Sequence, residues 1–177
     1  MEKRYDGMTA LRYLVVVAMF MAINIAMSSF GIPVPGGHLY LNDIIICTAA
    51  LLLGPVSSFA VGGVGAFLGD LIFYPAPMFV TLAVRGAQSI AISLISRCTF
   101  KKNKPVANTV ALGVGAVINV VGYSIGRAFF YATPAAAVLK IPTQVLMALL
   151  GAIVAPILIY KAGVGKLFGK FVHRKKV

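Results

Sequence analysis

The chain has 177 residues, 60% of them apolar and only 11% charged, against about a quarter charged in an ordinary soluble domain, which excludes a soluble globular fold. Sixteen Lys and Arg face four acids, a formal charge of +12, and in a soluble protein that excess would point to nucleic acid. Here the basic residues collect between and beyond the apolar runs, so the rule that basic loops stay on the cytoplasmic side accounts for them, and nucleic acid is excluded.

The first run, 13–30, is close to the roughly 20 residues that cross a bilayer. It is longer than the apolar part of a signal peptide and no convincing cleavage site follows it, so a retained helix is expected. The segment GIPVPGGHLYLND then interrupts the helix with two prolines and three glycines, as an external loop. A second run, 43–53, is apolar but short enough to be a re-entrant segment. Gly54-Pro55 separates it from a third run, 57–74, which Pro75-Ala76-Pro77 stops. A fourth run, 78–96, leads into Arg97, Lys101, Lys102 and Lys104; a fifth covers 107–131. After the turn-like ATPAAAVLK comes a sixth, 141–160, and then a basic tail, 161–177.

Charge decides the topology of the second run. With six spans and both ends inside, Lys3, Arg4, Arg12, the four residues from Arg97 to Lys104, and Lys161, Lys166, Lys170, Arg174, Lys175 and Lys176 share the cytoplasmic face, thirteen of the sixteen basic residues. Five spans would put the basic tail opposite the basic N-terminus, against the rule. The expected fold is therefore all-α: one integral membrane domain over 1–177, a bundle of six transmembrane helices with both termini cytoplasmic. Lys140 falls in an external loop in this arrangement.

Two arginines lie inside apolar runs, Arg85 in MFVTLAVRGAQSIAISLI and Arg127 in VALGVGAVINVVGYSIGRAFFY. A charge at membrane depth costs a few kcal/mol or more unless it meets a partner or a watery cavity, so such residues are functional candidates. Arg85 and Gln88 share a helix face at i, i+3, and Asn119, Tyr123 and Arg127 share one at i, i+4, i+8. Asp70 sits near the outer end of the third run, Lys140 and Gln144 at the start of the sixth, and His38, Tyr40, Asn42 and Asp43 in or beside the first external loop. The polar groups thus run from mid-membrane outward, the usual form of a small-molecule pocket. The plainer alternative is structural: Asp70 neutralising Arg85, and Asn119 tying two helices by one hydrogen bond. No row of carboxylates crosses the inner half, which disfavours a proton relay.

Ala18, Ala22 and Ala26 repeat every four residues along the first run, and small residues at that spacing let another helix approach closely. That helix is either a partner or a neighbour within the bundle. Gly65/Gly69 and Gly122/Gly126 read as internal packing seams. Cys47 and Cys98 lack metal-ligand spacing and read as packing residues, so no metal is expected. His38 and His173 stand far apart and neither lies near a nucleophile or a carboxylate pair at a diagnostic spacing, which argues against an enzyme.

A short six-helix chain with this alanine stripe, a Gly/Pro-rich first external loop and LNDIIICTAALLLGPVSSFAVGGVGAFLGDLIFYPAPMFVTLAVRG resembles the S component, the substrate-binding membrane subunit, of energy-coupling factor (ECF) vitamin transporters. The resemblance covers nearly the whole chain and is most specific over 41–86. Within the family it looks most like members assigned to hydroxymethylpyrimidine or pyridoxine. The resemblance implies a multi-pass protein of the bacterial cell membrane that captures a vitamin from outside. It would dock through the Ala18, Ala22 and Ala26 face onto a transmembrane coupling subunit driven by two ATPase subunits, then topple to release the vitamin inside. No G-x-x-x-x-G-K-[ST] occurs in the sequence, so ATP would be used by the partners and no cofactor is expected in this chain. Carried over by position, the pocket residues would be Arg85, Gln88, Asn119, Tyr123, Arg127 and Gln144, with Asp70 and Tyr40 beside them, capped by 31–42 and the YPAP loop. The arginines suit a carboxylate equally well, which keeps a pantothenate-like ligand open, and an autonomous small transporter or channel is the competing class.

Overall fold

A computed structural model describes residues 7–34, 37–98 and 104–172, and the side chains of 10–31, 40–98, 105–130 and 132–170 within them. In chain order these form α1 (Gly7–Ser29), a hairpin of β1 (Gly31–Val34) and β2 (Gly37–Tyr40), α2 (Asn42–Leu52), α3 (Pro55–Phe59), a π-helical turn (Ala60–Val64), α4 (Gly65–Phe73), α5 (Met78–Cys98), α6 (Lys104–Gly126), a second π-helical turn (Arg127–Tyr131), α7 (Pro134–Tyr160) and α8 (Val164–Val172). The stretch from α3 through its π turn to α4 is continuous. Among the described residues five helices are long and apolar enough to cross a membrane: Ala10–Ser29, Pro55–Phe73, Met78–Cys98, Pro105–Phe130 and Pro134–Tyr160. The shorter apolar helix α2 is packed against α1, α5 and α7, so the architecture is an all-helical membrane bundle with one small hairpin.

Four local expectations change. The loop expected after the first run is an antiparallel hairpin in which Gly31 pairs with Tyr40 and Val34 with Gly37; strands this short give no readable alternation, and Pro is tolerated on an edge strand. The backbone N–H of Tyr40 donates to the Met147 sulfur at 3.1 Å, which ties the hairpin to α7. The supposed turn ATPAAAVLK is the start of α7. Thr133 accepts a hydrogen bond from the Ala136 backbone N–H at 3.3 Å and Pro134 occupies the first helical turn, a capping arrangement that begins helices rather than interrupting them. Lys140 consequently lies inside α7 and not in a loop. The basic tail also contains a helix, α8, whose Phe168 ring meets Tyr13 of α1 edge-on with centroids 6.4 Å apart. Cys47 is buried as a packing residue, whereas Cys98 is exposed.

Small residues set the helix seams. A Cβ on Gly69 would come within 2.5 Å of the Ser28 hydroxyl oxygen, and one on Gly65 within 3.1 Å of Asn24, so α4 presses on the inner face of α1. Gly122 and Gly126 of α6 receive Val84 and Val80 of α5, the former at 2.7 Å. Both glycine pairs are internal seams. Asn24 is fully buried and donates to the Val61 carbonyl at 2.7 Å inside the first π turn, where an ordinary helical partner has been displaced.

The alanine stripe behaves differently. Tyr13, Val16, Val17, Phe20 and Met21 of α1 pack against Ala49, Leu53 and Val61. Ala18, Ala22 and Ala26 are exposed together with Leu11, Leu14, Val15, Met19 and Ile23. Packing inside the bundle is therefore not what the stripe is for.

Candidate functional site

Polar side chains from four helices meet at one carboxylate. Asp43, in the first turn of α2, is buried and forms an ion pair with Arg85 of α5. The same Asp43 Oδ1 accepts from Gln88 Nε2 at 3.2 Å and from Asn119 Nδ2 of α6 at 2.9 Å. Gln144 Nε2 of α7 donates to Asn119 Oδ1 at 2.8 Å, and Arg85 reaches Asn42 Oδ1 at 3.5 Å and Gln88 Oε1 at 3.2 Å. Gly151 makes this junction possible, because a Cβ there would stand 3.0 Å from the Asp43 Cβ. An intramembrane charge with a partner and several hydrogen bonds is affordable where a bare one is not. Arg85 is thus neutralised by Asp43, and not by Asp70 as the plainer reading of the sequence had it.

Outward from this junction the helices separate around a cavity of about 620 Å³, within the roughly 300–1,000 Å³ range of small-molecule sites. Its inner wall carries Arg85, whose guanidinium carbon stands 5.2 Å from the Tyr123 ring centroid, near enough for a cation–π contact. Tyr123 donates its hydroxyl hydrogen to Thr81 Oγ1 at 2.9 Å, and Thr81 and Asp70 both line the cavity. Tyr40, Asn42, Phe73 and Tyr74 line the hairpin side, and Arg127, Lys140, Gln144 and Met147 line the side of α6 and α7. Arg127 is buried and opens the second π turn; the wider turn changes the direction in which the residues after Gly126 leave the helix.

Six of the eight sequence candidates line the cavity: Tyr40, Asp70, Arg85, Tyr123, Arg127 and Gln144. Gln88 and Asn119 lie one layer deeper, holding Asp43. Sequence reasoning did not assign Asp43 its central place, nor Thr81, Tyr74, Lys140 and Met147 theirs in the wall. For Asp43 a signal existed. The chain has four acids, and two of them, Glu2 and Asp6, precede the first apolar run, which leaves Asp43 and Asp70 as the acids able to reach an intramembrane arginine.

The ends of the bundle differ in kind. Ser28 and Ser29 at the end of α1, Pro77 before α5, Arg127 after α6 and Ala136 near the start of α7 all border the cavity. Arg12, Arg97, Lys161, Lys166 and Lys170 lie toward the other ends of the same helices or in α8. The remaining members of the expected cytoplasmic basic set, except Lys104, fall outside the described residues.

The sequence profile of ECF-type riboflavin transporter S components matches residues 8–164. A protein of Pyrococcus woesei described as "Uncharacterized protein in gap 3'region" is 30% identical over 135 residues, which span 75% of this chain and 88% of that protein. The match does not reach down to a hydroxymethylpyrimidine or pyridoxine subgroup. Over so much of its length, the chain belongs to the family of ECF-type riboflavin transporter S components.

Proposed function

We propose that the chain is the substrate-binding subunit of an ECF importer, which captures a small water-soluble vitamin or precursor from outside the cell for uptake driven by partner subunits. The observation that carries this reading is the outer cavity: polar and aromatic side chains of hairpin, α4, α5, α6 and α7 converge on one space at one end of the bundle. The basic residues gather toward the opposite end, which the positive-inside rule assigns to the cytoplasm. That orientation gives six helices crossing or entering the bilayer, both termini inside, and a cavity open outward. In this reading the chain binds and does not catalyse, and ATP is hydrolysed by two ATPase subunits acting through a transmembrane coupling subunit.

The exposed Ala18, Ala22 and Ala26 face of α1 supplies the surface for that coupling subunit, since a ridge of methyl groups lets a second helix approach closely without loss of side-chain freedom. The substrate within the vitamin class is decided by titrating purified chain with riboflavin, hydroxymethylpyrimidine, pyridoxine and pantothenate. Tight binding without turnover is expected for one of them. Ala22→Trp should keep that binding and abolish uptake in cells carrying the partner subunits. Normal uptake by the variant, or ion flux through the chain alone, would overturn the reading.

A further inference from the structure

Vitamin capture makes no use of α8, which carries a pattern of its own. The Lys161 and Ala162 backbone N–H groups both donate to the Ile157 carbonyl, at 2.8 and 3.1 Å, and Gly163, with a φ of +74°, takes the left-handed conformation that closes a helix. A new helix then begins, with the Leu167 N–H donating to the Gly163 carbonyl at 2.9 Å. α8 lies where the apolar helices end. A Cβ on Gly165 would stand 3.2 Å from Ile159 at the end of α7 and 4.0 Å from Leu52 at the end of α2, and the Phe168 ring meets Tyr13 near the start of the Ala10–Ser29 span.

Going round α8, Phe168 faces the bundle, Leu167 comes next, and Lys166 and Lys170, one turn apart, follow on the side beyond it. Phe168 packs against the cluster of Ala49, Leu53 and Val61, whereas Leu167 is 69% exposed and both lysines are exposed. An apolar edge bordered by lysines, at the level where spans end, suits a helix lying in the membrane interface. Its apolar side then enters the acyl boundary while the long lysine stems carry their ammonium groups to the headgroups. The positive-inside rule accounts for basic charge at this end but not for its order, since a tail without a helix would satisfy it equally. Here the lysines share one face of a helix docked to the bundle, and their charge complements the negative surface of a leaflet that carries anionic lipid.

We propose that α8 is a binding surface for anionic phospholipid, with the Leu167 side chain seated at the acyl boundary and the Lys166 and Lys170 ammonium groups on the headgroup phosphates. Through the contact of Phe168 with Tyr13, the bound lipid steadies the end of α1 remote from the cavity, on the helix that exposes the alanine face.

The sequence contains no tryptophan, so Leu167→Trp places a single emitter at the exposed position. The full chain with this substitution is put into vesicles of phosphatidylcholine and phosphatidylglycerol, with bromine on the acyl chains of one lipid or the other as the quencher. The quenching should report a local excess of phosphatidylglycerol of about fivefold over its bulk fraction, the size expected for one lysine at an anionic surface. Adding Lys166→Gln and Lys170→Gln should cut that excess by half or more, Lys166→Arg and Lys170→Arg should keep it, and high salt should lower it because exposed charges are screened. Gel filtration of each variant checks that the bundle stays intact. No quenching by either lipid places Leu167 away from the bilayer and overturns the proposal. Equal quenching by both lipids, or an excess that the two glutamine substitutions leave unchanged, overturns it too. If the glutamine variant keeps the lipid excess and instead loses assembly with partner subunits in phosphatidylcholine alone, the surface serves a protein and the lipid assignment falls.

Discussion

The two intramembrane arginines look alike in sequence and sit in different settings. Arg85 lies at the inner wall of the cavity, bound to Asp43, with Gln88 and Asn119 holding the same carboxylate oxygen. Arg127 lines the cavity where α6 ends, as Lys140 does near the start of α7. The first arrangement joins α2, α5, α6 and α7 before any ligand arrives. The second borders the cavity. A charge at membrane depth can therefore be scaffold, as Arg85 is through Asp43, and the depth of the residue does not reveal that role.

Removing Asp43 breaks the inner arrangement most severely. Asp43→Ala would leave Arg85 buried without its carboxylate and strip an acceptor from Gln88 and Asn119, a loss of about 3–5 kcal/mol for a buried pair with one partner deleted. Thermal and detergent-induced unfolding of the purified variant, followed by circular dichroism and gel filtration, should show a large loss of folded protein even without ligand. A variant as stable as wild type that merely binds vitamin more weakly would move Asp43 from scaffold to ligand contact.

The sequence carried the apolar runs of the bundle, the glycine seams and six of the cavity residues, because hydrophobic runs and i, i+4 spacing are local properties of the chain. It did not carry the rotation of each helix about its own axis. Asn119 and Tyr123 share a face by spacing, yet in the structure one bonds Asp43 behind the wall and the other lines the cavity. That division is made by how α6 packs on α5 through Gly122 and Gly126, a tertiary fact. Thr133-Pro134 is a legible helix start, a signal that the turn-like reading of ATPAAAVLK does not use. α8 was hidden for a simpler reason: Lys166 and Lys170 on one side of VGKLFGKFV read as a basic tail when only charge is counted. Whether the alanine stripe faced inward or outward was also open in the sequence, since spacing alone describes both.

Asn119→Ala sharpens the comparison with a smaller effect. The variant loses a hydrogen bond to Asp43 and another from Gln144, and intramembrane hydrogen bonds average about 0.6 kcal/mol with a maximum near 1.7, so about 1–2 kcal/mol of stability is expected. Because Asn119 lies behind the cavity wall, ligand affinity should fall no more than stability does. The same pair of measurements, unfolding free energy and calorimetric affinity, checks this. Affinity lost with stability intact would bring Asn119 into contact with ligand and dissolve the boundary between the two layers.

The smallest effect belongs to Tyr123→Phe, which tests the boundary from the other side. Tyr123 lines the cavity and its hydroxyl donates to Thr81, which lines it too. Phenylalanine keeps the ring that Arg85 faces, so the cation–π contact survives and the inner junction is untouched. One hydrogen bond is lost, about 0.6 kcal/mol, close to the error of an unfolding measurement. The consequence for ligand is more readable. Without the Tyr123 hydroxyl the cavity wall loses a polar group, and Thr81 loses the donor that orients it. Affinity should drop by roughly two- to fivefold, the size of a weakened hydrogen bond, while unfolding stays near wild type. If Tyr123→Phe instead destabilises the chain as much as Asn119→Ala, then the outer wall is part of the same scaffold as the Asp43 junction, and the cavity has no separate binding layer.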